Sequence, residues 1–418
     1  MNRVVVTGIG AVSPLGNSLH KCWEVAKTGL SGIALITKFD PSEIKWKVAG
    51  ELKGFDAQKY LSLKEINRLD PFVHYAVAAA MMAAEDAGLI SSHLPFSTRH
   101  LSLDSAGVII GSSRGGISTI EKELQKKCLS GIMHRASRIS PYLMPSTTIS
   151  MASSYIAQKL GIKGYCLGIS NACASGTNAI GEAYRLIRSG YHGPVFCGGA
   201  EAPVCRICIE GYGESGALSQ VNDSSASKPF DMTRDGFVLS EGACILVLEN
   251  YEDALKRGAR IYGEIIGYGN TTDAFHQTIP AQEGEARAIK MAINEAGLKP
   301  EDIDFINAHG TSTPLGDKIE TNAIKLSFGK RAYQIPITSI KSMTGHMLAA
   351  SGSLEAAFTL MSIDEGIIPP TINLKVRDPE CDLDYATELR RAQIEYAISH
   401  SFGFGGVNAV LVMRKSNV

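Results

Sequence analysis

The sequence predicts an α/β protein in which strands alternate with helices and build much parallel sheet. Two observations predict it. Short β-rich apolar runs bounded by Gly, Asp, Asn or Pro recur at Val4 to Val6, Ala106 to Ile110, Val195 to Cys197, Ala243 to Leu248, Phe305 to Ala308 and Ile394 to Ile398. Between them lie segments that carry helix start and stop signals. The length of 418 residues is enough for two or more domains, or for two fused copies of one unit.

Taken in order, the opening M-N-R-V-V-V-T-G-I-G reads as a first strand and turn. Gly8, Gly10 and Pro14 interrupt it before a signal-peptide core could form. No uninterrupted apolar stretch approaches the roughly 20 residues of a membrane-spanning helix, so the expected protein is cytoplasmic, with no membrane insertion. Asp70 and Pro71 open an Ala-rich helix that stops at Gly88, and Ser146-Thr147 open another that stops at Gly161. G-Y-C-L-G-I then reads as a strand, followed by a short polar turn and a helix of very small residues that begins around Cys173. Near Glu249 the chain enters the polar helix E-N-Y-E-D-A-L-K-R. This places a boundary between halves 1–250 and 251–418, each with a strand that delivers a reactive residue to its end and hints of an old duplication.

Charge excludes some classes of partner. With 41 basic and 42 acidic residues the formal net charge is −1, which gives no global attraction to nucleic acid or to an anionic membrane. Nine cysteines without a repeating spacing point to reduced thiols. Cys205 and Cys208 form one C-x-x-C, a redox pair or half of a zinc site, but no second pair lies nearby to complete four ligands.

Three segments carry chemistry. In N-A-C-A-S-G, Cys173 at the start of a helix faces unpaired N–H groups and the positive end of the helix dipole, which lowers a free thiol's pKa of roughly 8.5. His309 in N-A-H-G-T-S-T-P-L-G-D is presented from a tight polar loop after a short strand; alone it would read as a histidine satisfied by backbone carbonyls. His346 in K-S-M-T-G-H-M-L-A-A-S-G precedes a second slim helix. Lys341 and Glu320 suggest a buried lysine–carboxylate pair near these histidines, against the ordinary reading of two solvated side chains. At the carboxyl end, His400-S-F-G-F-G-G strings Phe402 and Phe404 between glycines, as a mobile aromatic loop or a bulged strand end.

These motifs, with P-F-D-M-T-R-D-G-F-V-L-S-E-G-A, occur in the order seen in β-ketoacyl-acyl carrier protein synthases, and the resemblance runs along essentially the whole chain. It is to the elongating type with a Cys-His-His triad, because the initiating type has asparagine where this chain has His346. The resemblance implies a thiolase-like fold of two fused α/β halves in an αβαβα arrangement, usually a homodimer, with no cofactor and no metal. It implies decarboxylative condensation: Cys173 takes an acyl primer from acyl carrier protein, and the N–H groups of Cys173 and Phe404 form the oxyanion hole. His309 and His346 then bind the thioester carbonyl of malonyl carrier protein. By the same resemblance Lys341 and Glu320 organise the His346 side, Thr311 and Thr313 bind the pantetheine arm, Phe404 gates the acyl pocket and Phe237 lines the malonyl side.

Three positions depart from the pattern. Arg114 stands where an apolar residue borders the end of the acyl tunnel; turned inward it would shorten the tunnel, and the cost of burying a charge favours a rotated or partnered side chain. Gly216 replaces an arginine associated with carrier docking, and Val407 replaces a threonine. Lys64, Arg68, Lys126, Lys127 and Arg138 are candidates for meeting an acidic carrier protein. Other readings are a polyketide-type ketosynthase, a catalytically silent chain-length-factor-like partner, which normally lacks the nucleophile, and a thiolase, which needs a second catalytic cysteine near its carboxyl end. A nicotinamide enzyme is suggested only by Gly8 and Gly10, with Ser13 in the place of a third glycine.

Overall fold

The computed structural model describes residues 1–90, 103–130 and 139–416, and ten strands among them form one continuous sheet. They are β1 (Val4–Val12), β2 (Gly107–Gly111), β3 (Cys166–Ile169), β4 (Val195–Glu201), β5 (Gly242–Asn250), β6 (Gly263–Thr272), β7 (Phe305–Asn307), β8 (Ile337–Thr338), β9 (Tyr396–Gly403) and β10 (Val407–Arg414). Their order across the sheet is β3-β2-β4-β5-β1-β6-β10-β9-β7-β8. Read from each edge inward, β3-β2-β4-β5-β1 and β8-β7-β9-β10-β6 are the same pattern with every strand shifted by five. The two patterns join where Val4–Val6 pairs with Ile265–Gly263.

The sheet is less parallel than expected. Pairings are parallel only toward the edges, in β3-β2, β2-β4, β8-β7 and β7-β9; the five central pairings are antiparallel. The reason is local for β9 and β10, whose three-residue connection is too short for the crossover a parallel pair requires.

Successive residues of a strand face opposite sides, and both sides are covered. Val108 and Ile110 pack with the Pro71–Asp86 helix, whereas Ile109 joins the central cluster around Ala179, Ile180, Leu354 and Phe358. In β10, Leu411 and Met413 enter that same central cluster while Val410 and Val412 pack with Ile289 and Ile324. The layers are therefore outer helices, half-sheet, a middle pair of helices (Ser175–Arg188 and Ala349–Glu365), half-sheet and outer helices. This is the αβαβα arrangement of a thiolase-like fold.

The Pro71–Asp86 helix starts as the sequence indicates: Asp70 accepts from the Phe72 N–H at 3.0 Å, with Pro71 in the first turn. The helix ending at Gly161 starts later than expected, at Met151. Ser146 and Thr147 instead end a separate short helix, Leu143–Thr147, and their hydroxyls bond back to the Leu143 carbonyl at 3.0 and 2.9 Å rather than capping forward. Gly8 and Gly10 have a packing role: a Cβ there would lie 2.4 Å from the Ala83 oxygen and 2.0 Å from the Ala79 oxygen, so they let the Pro71–Asp86 helix lie on β1. Strand β6 is hidden in the sequence by the same device. A Cβ at Gly267 or Gly269 would meet the carbonyl of Ala292 or Ala288 in the Gln282–Glu295 helix at 2.2 or 2.0 Å.

Candidate active site

Two slim helices meet at their N-terminal turns and bring the two halves of the site together. A Cβ at Gly176 would lie 2.2 Å from the Ala349 oxygen, and one at Gly352 would lie 2.0 Å from the Thr177 hydroxyl. Only residues of minimal size allow this approach, and it seats Cys173 beside the His346 segment. Cys173 lies one residue ahead of Ala174, the N-cap of the Ser175–Arg188 helix. The turn before it is held by Asn171 N–H to Ser175 Oγ at 2.7 Å and Ser175 Oγ to the Ala172 carbonyl at 2.6 Å. Ala172 adopts φ 46°, a left-handed conformation that costs an L-residue energy and aims the cysteine into the cavity.

His309 arrives from the other half at the end of β7. Its loop is anchored by Glu320, which accepts the His309 and Gly310 backbone N–H groups at 2.8 and 2.7 Å and meets His400 Nδ1 at 3.0 Å. Lys341 donates to the His309 carbonyl at 2.7 Å and lies 3.3 Å from His309 Nδ1. An ammonium can only donate, so this nitrogen accepts and the ring proton sits on Nε2. The expected lysine–carboxylate pair exists with a different acid: Lys341 is ion-paired with Glu355, both 1% exposed, and not with Glu320. The direct contacts of Lys341 and Glu320 are therefore with the His309 loop, and Lys341 acts on His346 through its charge.

His346 is held by its N–H to the Val238 carbonyl at 2.7 Å and by Ser351 Oγ, 3.1 Å from Nδ1. Its ring stands edge-on to Phe237 at 5.2 Å and to His309 at 5.4 Å. Cys173, His309, His346, Phe237, Thr311, Thr313 and Phe404 all line one cavity of about 420 Å³. Thr311 and Thr313 face each other with their hydroxyls 3.0 Å apart, and Thr313 also caps the Pro314–Phe328 helix. Gly403 packs against the Cys173 backbone, where a Cβ would come within 3.2 Å of its nitrogen, and the Phe404 backbone N–H favours the Cys173 thiolate.

Arg114 is outside the cavity wall. Its side chain is exposed and donates from Nε to the hydroxyl of Tyr212, which does line the cavity, at 2.8 Å. Gly216 lines the cavity and has φ 75°, a left-handed conformation that glycine adopts at little cost. Among the basic candidates Lys126 pairs with Glu123 at 2.7 Å and Arg68 lies over the Tyr142 ring at 4.3 Å; Arg138 falls outside the described residues.

Burial dominates the electrostatics. It pushes the Cys173 thiol up to about 11, against the pull of Lys341, Arg114 and the Phe404 N–H, so the helix terminus does not make a resting thiolate as expected. Burial, then the Lys341 charge, hold both His309 and His346 well below the usual imidazole range. The resting site thus presents a neutral thiol and two neutral imidazoles. Among the described residues no group of three or more His, Cys, Asp or Glu could hold a metal ion, and no helix is long and apolar enough to cross a membrane. Among the described residues three buried oxygens near this region, Asn307 Oδ1, Glu355 Oε2 and Ser399 Oγ, have no hydrogen-bond partner, and Asn307 and Ser399 are register partners in β7 and β9.

Sequence reading missed Glu355, His400, Ser351 and Tyr212 as parts of this machinery. A signal existed for the first: Glu355 stands alone in the apolar run S-L-E-A-A-F-T-L, where a carboxylate needs a buried partner.

Residues 1–254 match the family model described as beta-ketoacyl synthase, N-terminal domain, and residues 262–375 that of its C-terminal domain. The chain is 47% identical over 418 residues to a 3-oxoacyl-[acyl-carrier-protein] synthase 2 of Synechocystis sp., covering 99% of this chain and 98% of that one. It is 44% identical over 420 residues to the enzyme of the same name from Staphylococcus aureus strain COL, with the same coverage. A beta-ketoacyl synthase from Burkholderia phymatum superposes with TM-score 0.90 at 34% identity, covering 100% of both chains. A type II polyketide ketosynthase solved with its acyl-carrier protein superposes with TM-score 0.88 at 34% identity, covering 99% of this chain and 100% of that one.

Proposed function

The chain belongs to the beta-ketoacyl synthase family, and we propose that it extends fatty acyl chains by two carbons through decarboxylative condensation on Cys173. The observation that carries the mechanism is the convergence of Cys173, His309 and His346 on one cavity. Acyl carrier protein is the partner in the names of the relatives and in the superposed complex, and here it delivers both the acyl and the malonyl group.

In the first step Cys173 attacks the acyl thioester. Its sulfur forms the new thioester, the carbon–sulfur bond to the carrier breaks, and the thiol proton leaves with the carrier's sulfur. The oxyanion lies between the N–H groups of Cys173 and Phe404, each worth about 2.7–4 kcal/mol where charge develops. The malonyl thioester carbonyl then accepts from His309 and His346, carbon dioxide departs, and the bonding pair becomes an enolate. Neutral imidazoles suit this role, since each can donate while the site gains only the charge it must stabilise. The enolate carbon attacks the acyl-cysteine and expels the Cys173 sulfur as a thiolate, which takes one proton from solvent water to regenerate the thiol. Thr311 and Thr313 offer hydroxyls to the pantetheine arm, Phe404 with 37% exposure is the movable gate, and Phe237 lines the malonyl side.

A polyketide ketosynthase uses the same site, but the full-length relatives at 44–47% identity carry the fatty acid synthase name. The silent-partner reading loses to the retained Cys173. The repeated strand order supports halves 1–250 and 251–418 as duplicated units, and β3, an edge strand with Cys166 and Leu167 exposed, supports a homodimer formed edge to edge. A cytoplasmic location accords with this reading.

The test is direct. Given malonyl and acyl carrier proteins, the protein releases carbon dioxide and forms a 3-ketoacyl product two carbons longer; Cys173→Ala elongates nothing. Elongation at the parent rate by that variant would refute the nucleophile.

A further inference from the structure

We infer that Ser351 is a positioning residue that fixes the tautomer of His346, an assignment that deepens the donor role proposed above and rests on it for its catalytic meaning. Ser351 is the third residue of the Ala349–Glu365 helix and is 2% exposed, as is His346. Its Oγ receives the Met347 backbone N–H at 2.9 Å and lies 3.1 Å from His346 Nδ1. The hydroxyl has one proton to give, and the Met347 N–H can only donate, so it occupies an oxygen lone pair. Among the described residues His346 Nδ1 is the one acceptor within reach of that proton. If Nδ1 were protonated, the oxygen would accept twice and a buried hydroxyl proton would have no partner. Nδ1 therefore accepts, and the ring proton sits on Nε2.

The backbone leaves the ring little freedom to choose otherwise. The His346 N–H is bound to Val238 and its carbonyl accepts from Ser240 N at 3.0 Å, while Phe237 and His309 flank the ring. His309 reaches the same Nε2–H state through Lys341, a cation. Ser351 provides the neutral counterpart, so the two imidazoles donate in concert without a second charge beside the developing enolate.

The experiment is ¹⁵N NMR of histidine-labelled protein, parent and Ser351→Ala, with malonyl decarboxylation measured on both. The parent should show His346 with Nε2 protonated and Nδ1 unprotonated, and the variant a mixture of tautomers. With one ordinary hydrogen bond lost, kcat for carbon dioxide release should fall roughly tenfold with KM little changed. A parent His346 protonated at Nδ1, or a variant with an unaltered tautomer, overturns the assignment of Ser351. A tautomer that shifts while carbon dioxide release stays at the parent rate leaves Ser351 as the tautomer-setting group and instead refutes His346 as a donor.

Discussion

At Cys173 two influences oppose each other: a helix terminus and nearby cations favour the thiolate, and burial disfavours it. Burial prevails, with the thiol raised to about 11. Alkylation of the resting enzyme by iodoacetamide should therefore accelerate about tenfold per pH unit from 7 to 10 without the plateau near 8.5 that a free cysteine shows. The same shift has a stability consequence. Because the folded value lies above the unfolded one, the contribution of this thiol is complete below about pH 8.5 and is lost as pH rises toward 11. For His309 and His346 the sign is reversed: their folded values are depressed, so they contribute stability above the unfolded value of about 6.5 that is lost as pH falls. Malonyl decarboxylation should accordingly show no histidine limb between about pH 6 and 8, and a rate that drops with a midpoint near 6.5 would contradict neutral donors. The Lys341–Glu355 pair makes a stability prediction. Lys341→Met leaves a buried carboxylate without its cation and should destabilise by about 3–5 kcal/mol in urea unfolding, alongside lost activity. The segments around Cys173, His309 and His346 stood out because each is a run rich in glycine, alanine, serine and threonine in which one polar or reactive side chain recurs in a recognisable motif. Glu355 did not, since Lys341 chooses its acid across space.

Among the elements, the crossing of the Ser175–Arg188 and Ala349–Glu365 helices decides whether a site exists. Gly176→Ala would gain about 1 kcal/mol of helix propensity in an open helix. Here its Cβ meets the Ala349 carbonyl, a backbone atom that cannot swing aside, and overpacking of this kind costs about 1–3 kcal/mol. The clash wins, so the variant should be net destabilised in thermal unfolding and should lose condensation by parting Cys173 from His346. Equal stability and activity would mean that the helices do not need this contact. The texture of both helices was visible in their small residues; that they face one another was not. Likewise Ser146 and Thr147 carried a helix-start composition but close the preceding turn, because a hydroxyl can bond backward as readily as forward.

For the molecule as a whole, β3 leaves one edge of the sheet open with Cys166 and Leu167 exposed. If a second copy covers this edge, Leu167→Lys should shift the protein from dimer to monomer in sedimentation, since a lysine on an edge strand blocks pairing. A parent that sediments as a monomer, or a variant that remains dimeric, would exclude this interface. The alternation of strands and helices and the motifs around Cys173, His309 and His346 could be read from the amino acids, because hydrophobic period, turn chemistry and small-residue runs are local properties of a chain. The mixed sheet, the repeat of one strand order in two halves, the choice of Glu355 over Glu320 and the neutral thiol could not. They depend on which surfaces pack together and how thoroughly water is excluded, and those are set by contacts between residues far apart along the chain.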